Sequence, residues 1–132
     1  MRALHITTAC CLLALSPRLS GAGLPEVVDR IRDHVVDVRA YGTGAEGGST
    51  LQLLSGVIVD TSGLIVTSAL AHVDSLRIVL ADGRQVSGDL VASDSVFGLS
   101  YVQTPGPMSS AARLSDRRPR LGESVIAAGF TG

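Results

Sequence analysis

The sequence predicts an all-β fold, an antiparallel barrel or sandwich preceded by one short helix. Three observations carry that expectation. Roughly seven short apolar runs follow one another with turn residues about every eight to twelve positions. Two of the intervening turns, Asp60-Thr61-Ser62-Gly63 and Asp82-Gly83-Arg84, have the chemistry of tight hairpins. No segment between the runs has room for a crossover helix, so a parallel sheet is excluded.

The helix comes first. From Leu24 to Asp33, Pro25 and Glu26 sit at the front, and apolar residues fall at 24, 27, 28 and 31, the spacing of one helical face. Val35 to Tyr41 then alternates like a half-buried strand, and the glycine-rich stretch from Gly42 to Thr50 predicts a flexible loop. Leu51 to Val59 and Leu64 to Ala69 pair across the first hairpin turn, where Asp60 and Ser62 can bond the backbone and Gly63 accepts a positive φ. Leu76 to Ala81 and Gln85 to Ala92 pair across the second. Gly98 to Thr104 is a further strand, Pro105-Gly106-Pro107 interrupts the pattern, and Ser124 to Gly129 predicts a last apolar strand.

Ahead of these elements, Met1-Arg2 is a short positive start, Ala3 to Leu15 is mostly apolar, and Ser20-Gly21-Ala22 offers small residues for a signal peptidase. Residues 1–22 are therefore expected to be a cleaved signal peptide and residues 23–132 the exported domain. A membrane anchor is the competing reading, but a span needs about 20 apolar residues and this run is shorter. Cys10 and Cys11 both lie in the leader, which leaves the domain with no thiol, disulfide or thiolate metal site. Ile6-Thr7-Thr8-Ala9 ahead of Cys10 is a poor lipobox.

Of the 132 residues, 45% are hydrophobic and 17% charged, ordinary for a core-forming protein. The formal charge of −1 becomes −3 without Arg2 and Arg18, nine arginines against twelve carboxylates. With Tyr41, Phe97, Tyr101 and Phe130 as its aromatics, the chain has neither the charge nor the stacking platform for nucleic acid. Arg117-Arg118-Pro119-Arg120, with Asp116 and Glu123 nearby, reads as a solvated loop. Histidines and carboxylates lie singly, without metal-ligand spacing, and Gly42 to Gly48 lacks the Gly-Lys-Ser/Thr ending of a phosphate loop. No cofactor is implied.

Taken in order, six segments resemble the HtrA/DegP branch of the trypsin-like serine proteases. They are Leu24-Pro25-Glu26-Val27-Val28 through Val38, Ser55-Gly56-Val57-Ile58-Val59-Asp60, Gly63-Leu64-Ile65-Val66-Thr67, Leu80-Ala81-Asp82-Gly83-Arg84, Ala92-Ser93-Asp94, and Gly122 to Gly129. The resemblance implies the N-terminal lobe of a trypsin-like fold, one six- to seven-stranded antiparallel barrel. It also implies a family that cleaves peptides with serine as nucleophile, histidine as base and a buried aspartate orienting the histidine.

The slots for that triad are occupied otherwise. The histidine slot, three residues past Thr67, holds Leu70; a shifted register would use His72, the one candidate base. His34 falls at a helix-to-strand junction and reads as structural. The aspartate slot, in an Asp-Leu-Ala context, is matched by Gly98-Leu99-Ser100, so Gly98 replaces the carboxylate. No Gly-Asn-Ser-Gly-Gly elbow supplies a nucleophile or the backbone amides of an oxyanion hole. The resemblance thus points to a degenerate protease lobe, either standing alone or as the front of a longer protein. A small secreted barrel that binds peptide or protein is the alternative. Partners would be a protein or peptide, a second lobe, or another copy through an exposed apolar face.

Overall fold

The computed structural model describes residues 23–130; the expected signal peptide lies outside them. One helix, α1 (Leu24–Arg32), precedes six strands: β1 (Val35–Thr43), β2 (Ser49–Asp60), β3 (Leu64–Ser68), β4 (Ser75–Val79), β5 (Gln85–Asp94) and β6 (Leu99–Gln103). All neighbours are antiparallel, and the sheet closes into a barrel of order β1-β2-β3-β6-β5-β4. Among the described residues no helix is long and apolar enough to cross a membrane.

The helix forms as its ends prescribe. Proline opens it, Glu26 lies in the first turn, and Arg30 and Arg32 lie in the last, so the charges complement the helix dipole. Its apolar side is only partly covered: none of its residues is buried.

Alternation along the strands builds the core. Val36, Val38 and Ala40 of β1 point inward with Ile58, Ile65, Leu76, Ile78 and Val102, while their neighbours face out. The interior of a six-stranded ring is narrow, and two inward positions are glycine for that reason. A Cβ on Gly56 would stand 2.8 Å from methyls of Ile65 and Val38, and one on Gly88 would stand 2.6 Å from a Val102 methyl. No buried side-chain polar atom among the described residues lacks a partner.

Three sequence expectations are corrected. Gly42 to Thr50 is not all loop: β1 runs to Thr43 and β2 starts at Ser49, with Thr43 opposite Ser49, leaving Gly44–Gly48 as the turn. Gly42 serves the strand because a side chain there would run into the carbonyl of His72. Ser124 to Gly129 is not a strand. It runs as irregular chain that joins none of the ladders of β1 to β6, for apolar, β-prone residues make a strand only where they find a pairing partner. Finally, β6 starts at Leu99, because Gly98 belongs to the turn that makes β5 and β6 a hairpin.

Candidate functional site

The segments that hold Leu70, after β3, and Gly98, before β6, come together at one end of the barrel. β3 and β6 are paired through Ser68 opposite Leu99, so the residues after Ser68 and before Leu99 must be neighbours. The Ala69 amide donates to the Gly98 carbonyl at 2.8 Å, and the Leu70 amide donates to the Ser100 hydroxyl at 3.0 Å. Ser100 is fully buried, and its oxygen also lies 3.4 Å from the Ser93 hydroxyl on β5. Leu70, partly buried, packs against the core.

Gly98 sits with φ +66, a conformation that favours glycine, and a Cβ there would meet nothing within 4 Å. The turn around it is organised by Asp94, whose carboxylate accepts the amides of Val96 at 2.9 Å and Phe97 at 3.1 Å. Val96 and Phe97 are left exposed at its tip.

His72 is held on a different flank. The loop from Ala69 to Asp74 leaves the β6 side after Leu70 and crosses to β1 and β2. There Gln52 donates to the Ala71 carbonyl at 2.6 Å, and the Asp74 amide donates to the Tyr41 carbonyl at 2.8 Å. Thr43 closes the crossing by donating to the Asp74 carboxylate at 2.9 Å. His72 is exposed, has φ +53, and makes no side-chain hydrogen bond among the described residues. His34, by contrast, acts through its backbone, its carbonyl accepting the Ile58 amide at 2.9 Å.

Leucine and glycine offer neither imidazole nor carboxylate, and the Ser100 hydroxyl accepts the Leu70 backbone amide. The carboxylates that the fold perturbs lie elsewhere, at surface turns. Hydrogen bonds from the Ser62 side chain and backbone hold Asp60 below its ordinary range, and the Arg84 amide and guanidinium do the same for Asp82. Arg117 and the Arg120 amide lower Glu123, and the same ion pair raises Arg117. No group of three His, Cys, Asp or Glu residues among those described could hold a metal ion.

Comparison with known proteins bears on the fold. No family model matches the chain. Serine endoprotease DegS of Escherichia coli K12 is 30% identical over 109 residues, covering 77% of this chain and 31% of that protein. A probable periplasmic serine endoprotease DegP-like from Rickettsia conorii is 32% identical over 84 residues, 61% of this chain and 16% of that protein. DegS of Salmonella typhimurium is 33% identical over 79 residues, 57% and 22% of the two chains. The closed six-stranded antiparallel ring agrees with the relationship.

The chain is an HtrA-type trypsin-like barrel. It spans less than a third of the length of the curated relatives it matches. Within the HtrA-type frame, sequence reasoning singled out Leu70 and Gly98 but missed Ser100. The signal was there: the HtrA context expects alanine at that position, and this chain adds a hydroxyl.

Proposed function

We propose that the protein is an exported HtrA-type barrel lobe that acts by binding and does not hydrolyse peptides. The observation that carries the reading is the meeting of Leu70 and Gly98 through the Ala69 to Gly98 and Leu70 to Ser100 hydrogen bonds. In this reading Leu70 occupies the histidine slot, and His72, bound into the crossing toward β1, is no base. Loss of the orienting carboxylate alone lowers turnover on the order of ten thousandfold in such triads, and loss of the imidazole removes the proton acceptor altogether. A nucleophilic serine contributed by a longer polypeptide would meet the same two residues. Hydrolysis at best residual is expected either way. Export is supported by the expected signal peptide and by the periplasmic designation of the Rickettsia relative.

The test is reaction of the purified protein with a fluorophosphonate serine probe, beside cleavage of an unstructured protein such as casein. No labelling and no cleavage are expected. Stoichiometric labelling lost on replacing His72 or any single serine would end the non-hydrolytic reading.

One observation favours a second reading, peptide capture by strand addition. β3 pairs with β2 only between Gly56 and Asp60, so Ser49 to Leu54 are paired on the β1 side alone, with Leu51 and Leu53 exposed. An extended peptide would extend the ladder there.

A further inference from the structure

The outer face of the barrel holds an electrostatic conflict. Outward and inward residues alternate along each strand, and the register sets Arg39 on β1 directly opposite Arg77 on β4, with Tyr41 opposite Ser75 and Arg77 opposite Ser87 on β5. Like charges directly opposite each other destabilise a ladder. Arg39 is relieved by Asp37, whose carboxylate lies 2.8 Å from its guanidinium. Arg77 has no such relief. It makes no ion pair among the described residues, and its guanidinium donates to the neutral side chain of Gln85 at 3.1 Å. The other arginines of the strands and hairpin turns, Arg39 and Arg84, each hold an aspartate. Residues 23–112 carry five arginines and ten carboxylates, a formal charge of −5, so Arg77 is an exposed, uncommitted cation on an acidic barrel.

Around that cation the surface is hollowed. A cleft of about 650 Å³ is walled by Tyr41, Ser75, Arg77, Gln85 and Ser87, inside the range of roughly 300–1,000 Å³ in which small ligands are held. Its walls differ in chemistry. The guanidinium presents a planar fork of donors that matches a carboxylate. Two serine hydroxyls and the Gln85 amide both donate and accept, which suits a molecule dense in hydroxyl groups. The Tyr41 ring, 39% exposed, offers a flat apolar face with a polar tip, and the C–H face of a sugar ring packs on such a surface.

The charge a ligand can carry is limited as well. An adjoining groove shares Ser75 and Ser87 and is lined by Asp74 and Asp89. A polyanion would meet those carboxylates, whereas a single acid can reach Arg77 and stay clear of them.

We infer that the cleft on β1, β4 and β5 is a binding site for a saccharide that bears one carboxylate, its acid on Arg77, its hydroxyls on Ser75, Ser87 and Gln85, and a ring face on Tyr41. The bound acid also offsets the Arg39–Arg77 opposition, so the ligand and the ladder are stabilised by the same contact. Because the cleft lies away from Leu70 and Gly98, which follow β3 and precede β6, such binding stands whether or not the protein cleaves peptides.

Backbone amide shifts of the isotope-labelled whole chain are followed while an acidic disaccharide is added to about 10 mM, enough to fill a site of roughly millimolar affinity. One probe joins N-acetylglucosamine to N-acetylmuramic acid and the other joins glucuronic acid to N-acetylglucosamine, which separates a lactyl-ether acid from a uronate. Neutral di-N-acetylchitobiose is the control. The expected result is saturable movement at Tyr41, Arg77 and Ser87 with at least one acidic probe, and binding about fivefold weaker for the neutral one. Arg77→Gln weakens the acidic probe by about tenfold, and Arg77→Lys, which keeps the charge without the fork, restores part of it. Arg77→Gln removes one of two opposed charges and should melt at or above the parent, which separates lost binding from lost fold. Ser87→Ala, also exposed, weakens binding by about threefold and gives a second reading. No movement with either acidic probe overturns the inference. So does a neutral disaccharide that binds as tightly, or an Arg77→Gln variant that binds like the parent. A multiply sulfated disaccharide that binds more tightly than both acidic probes reveals general anion attraction and overturns it as well.

Discussion

The backbone amide of Leu70 is capped by the side chain of Ser100, 30 positions on, at 3.0 Å. The acceptor is fully buried, so no solvent molecule can easily take its place. The hydroxyl thus fixes the backbone where the segments after β3 and before β6 meet.

Removing that acceptor is expected to be costly for its size. Ser100→Ala leaves the Leu70 amide unsatisfied in a part-buried place, a loss of about 1–3 kcal/mol. Urea unfolding measures the total. Hydrogen exchange at Leu70 should accelerate more than exchange at Val38 or Ile78, and a uniform change across the three would show that the bond has no local role.

Interior glycines and turn glycines should respond differently to alanine. Gly56→Ala drives a methyl into Ile65 and Val38 and is expected to cost about 1–3 kcal/mol through overpacking. Gly83→Ala meets nothing within 4 Å, and its cost is confined to the positive φ, about 1 kcal/mol. Thermal melts of the pair separate packing from backbone strain.

His72 holds an uncommon backbone conformation for a residue with a Cβ. His72→Gly relieves about 1 kcal/mol of strain and gives back part of it in chain entropy, so stability should stay level or rise by less than about 1 kcal/mol. Any trace of peptide cleavage should be unaltered. A fall in cleavage parallel to the loss of the imidazole would restore His72 as a base.

Acid should act through the turn carboxylates. Asp60, Asp82 and Glu123 are held below their ordinary values of 3.8, 3.8 and 4.5, so the unfolded chain binds more protons near those values than the folded one. Their contribution is complete above the ordinary values and is lost as pH falls through the lower folded ones. Unfolding midpoints followed downward from pH 6 should therefore hold until about pH 4.5 and then decline. Glu123→Gln should flatten the upper part of that decline, and an unchanged slope would show that the Arg117 pair contributes nothing.

Local chemistry made much of this architecture legible. The turns at Asp60 to Gly63 and Asp82 to Arg84 announce themselves because glycine takes φ +97 and +84 there while aspartate bonds the backbone two residues on. Glycine at 42 misled, because its purpose is the approach of His72, a contact 30 residues away that composition cannot display. Ser124 to Gly129 misled for the opposite reason: it has the local character of a strand, but pairing depends on a neighbour. Leu70 and Gly98 were singled out by pattern, whereas Ser100 mattered only once β3 and β6 lay side by side.

Ring closure sets how the protein comes apart. Val38 must find Ile78, and Ile65 must find Val102, before the last ladders can form. Assembly therefore waits on distant encounters and should take milliseconds to seconds. In the finished ring β1 is clasped by β2 and β4 and β3 by β2 and β6, so unzipping has no convenient place to start. Amide protons at Val38, Ile65 and Val102 should then escape together, in one global opening of the whole hoop.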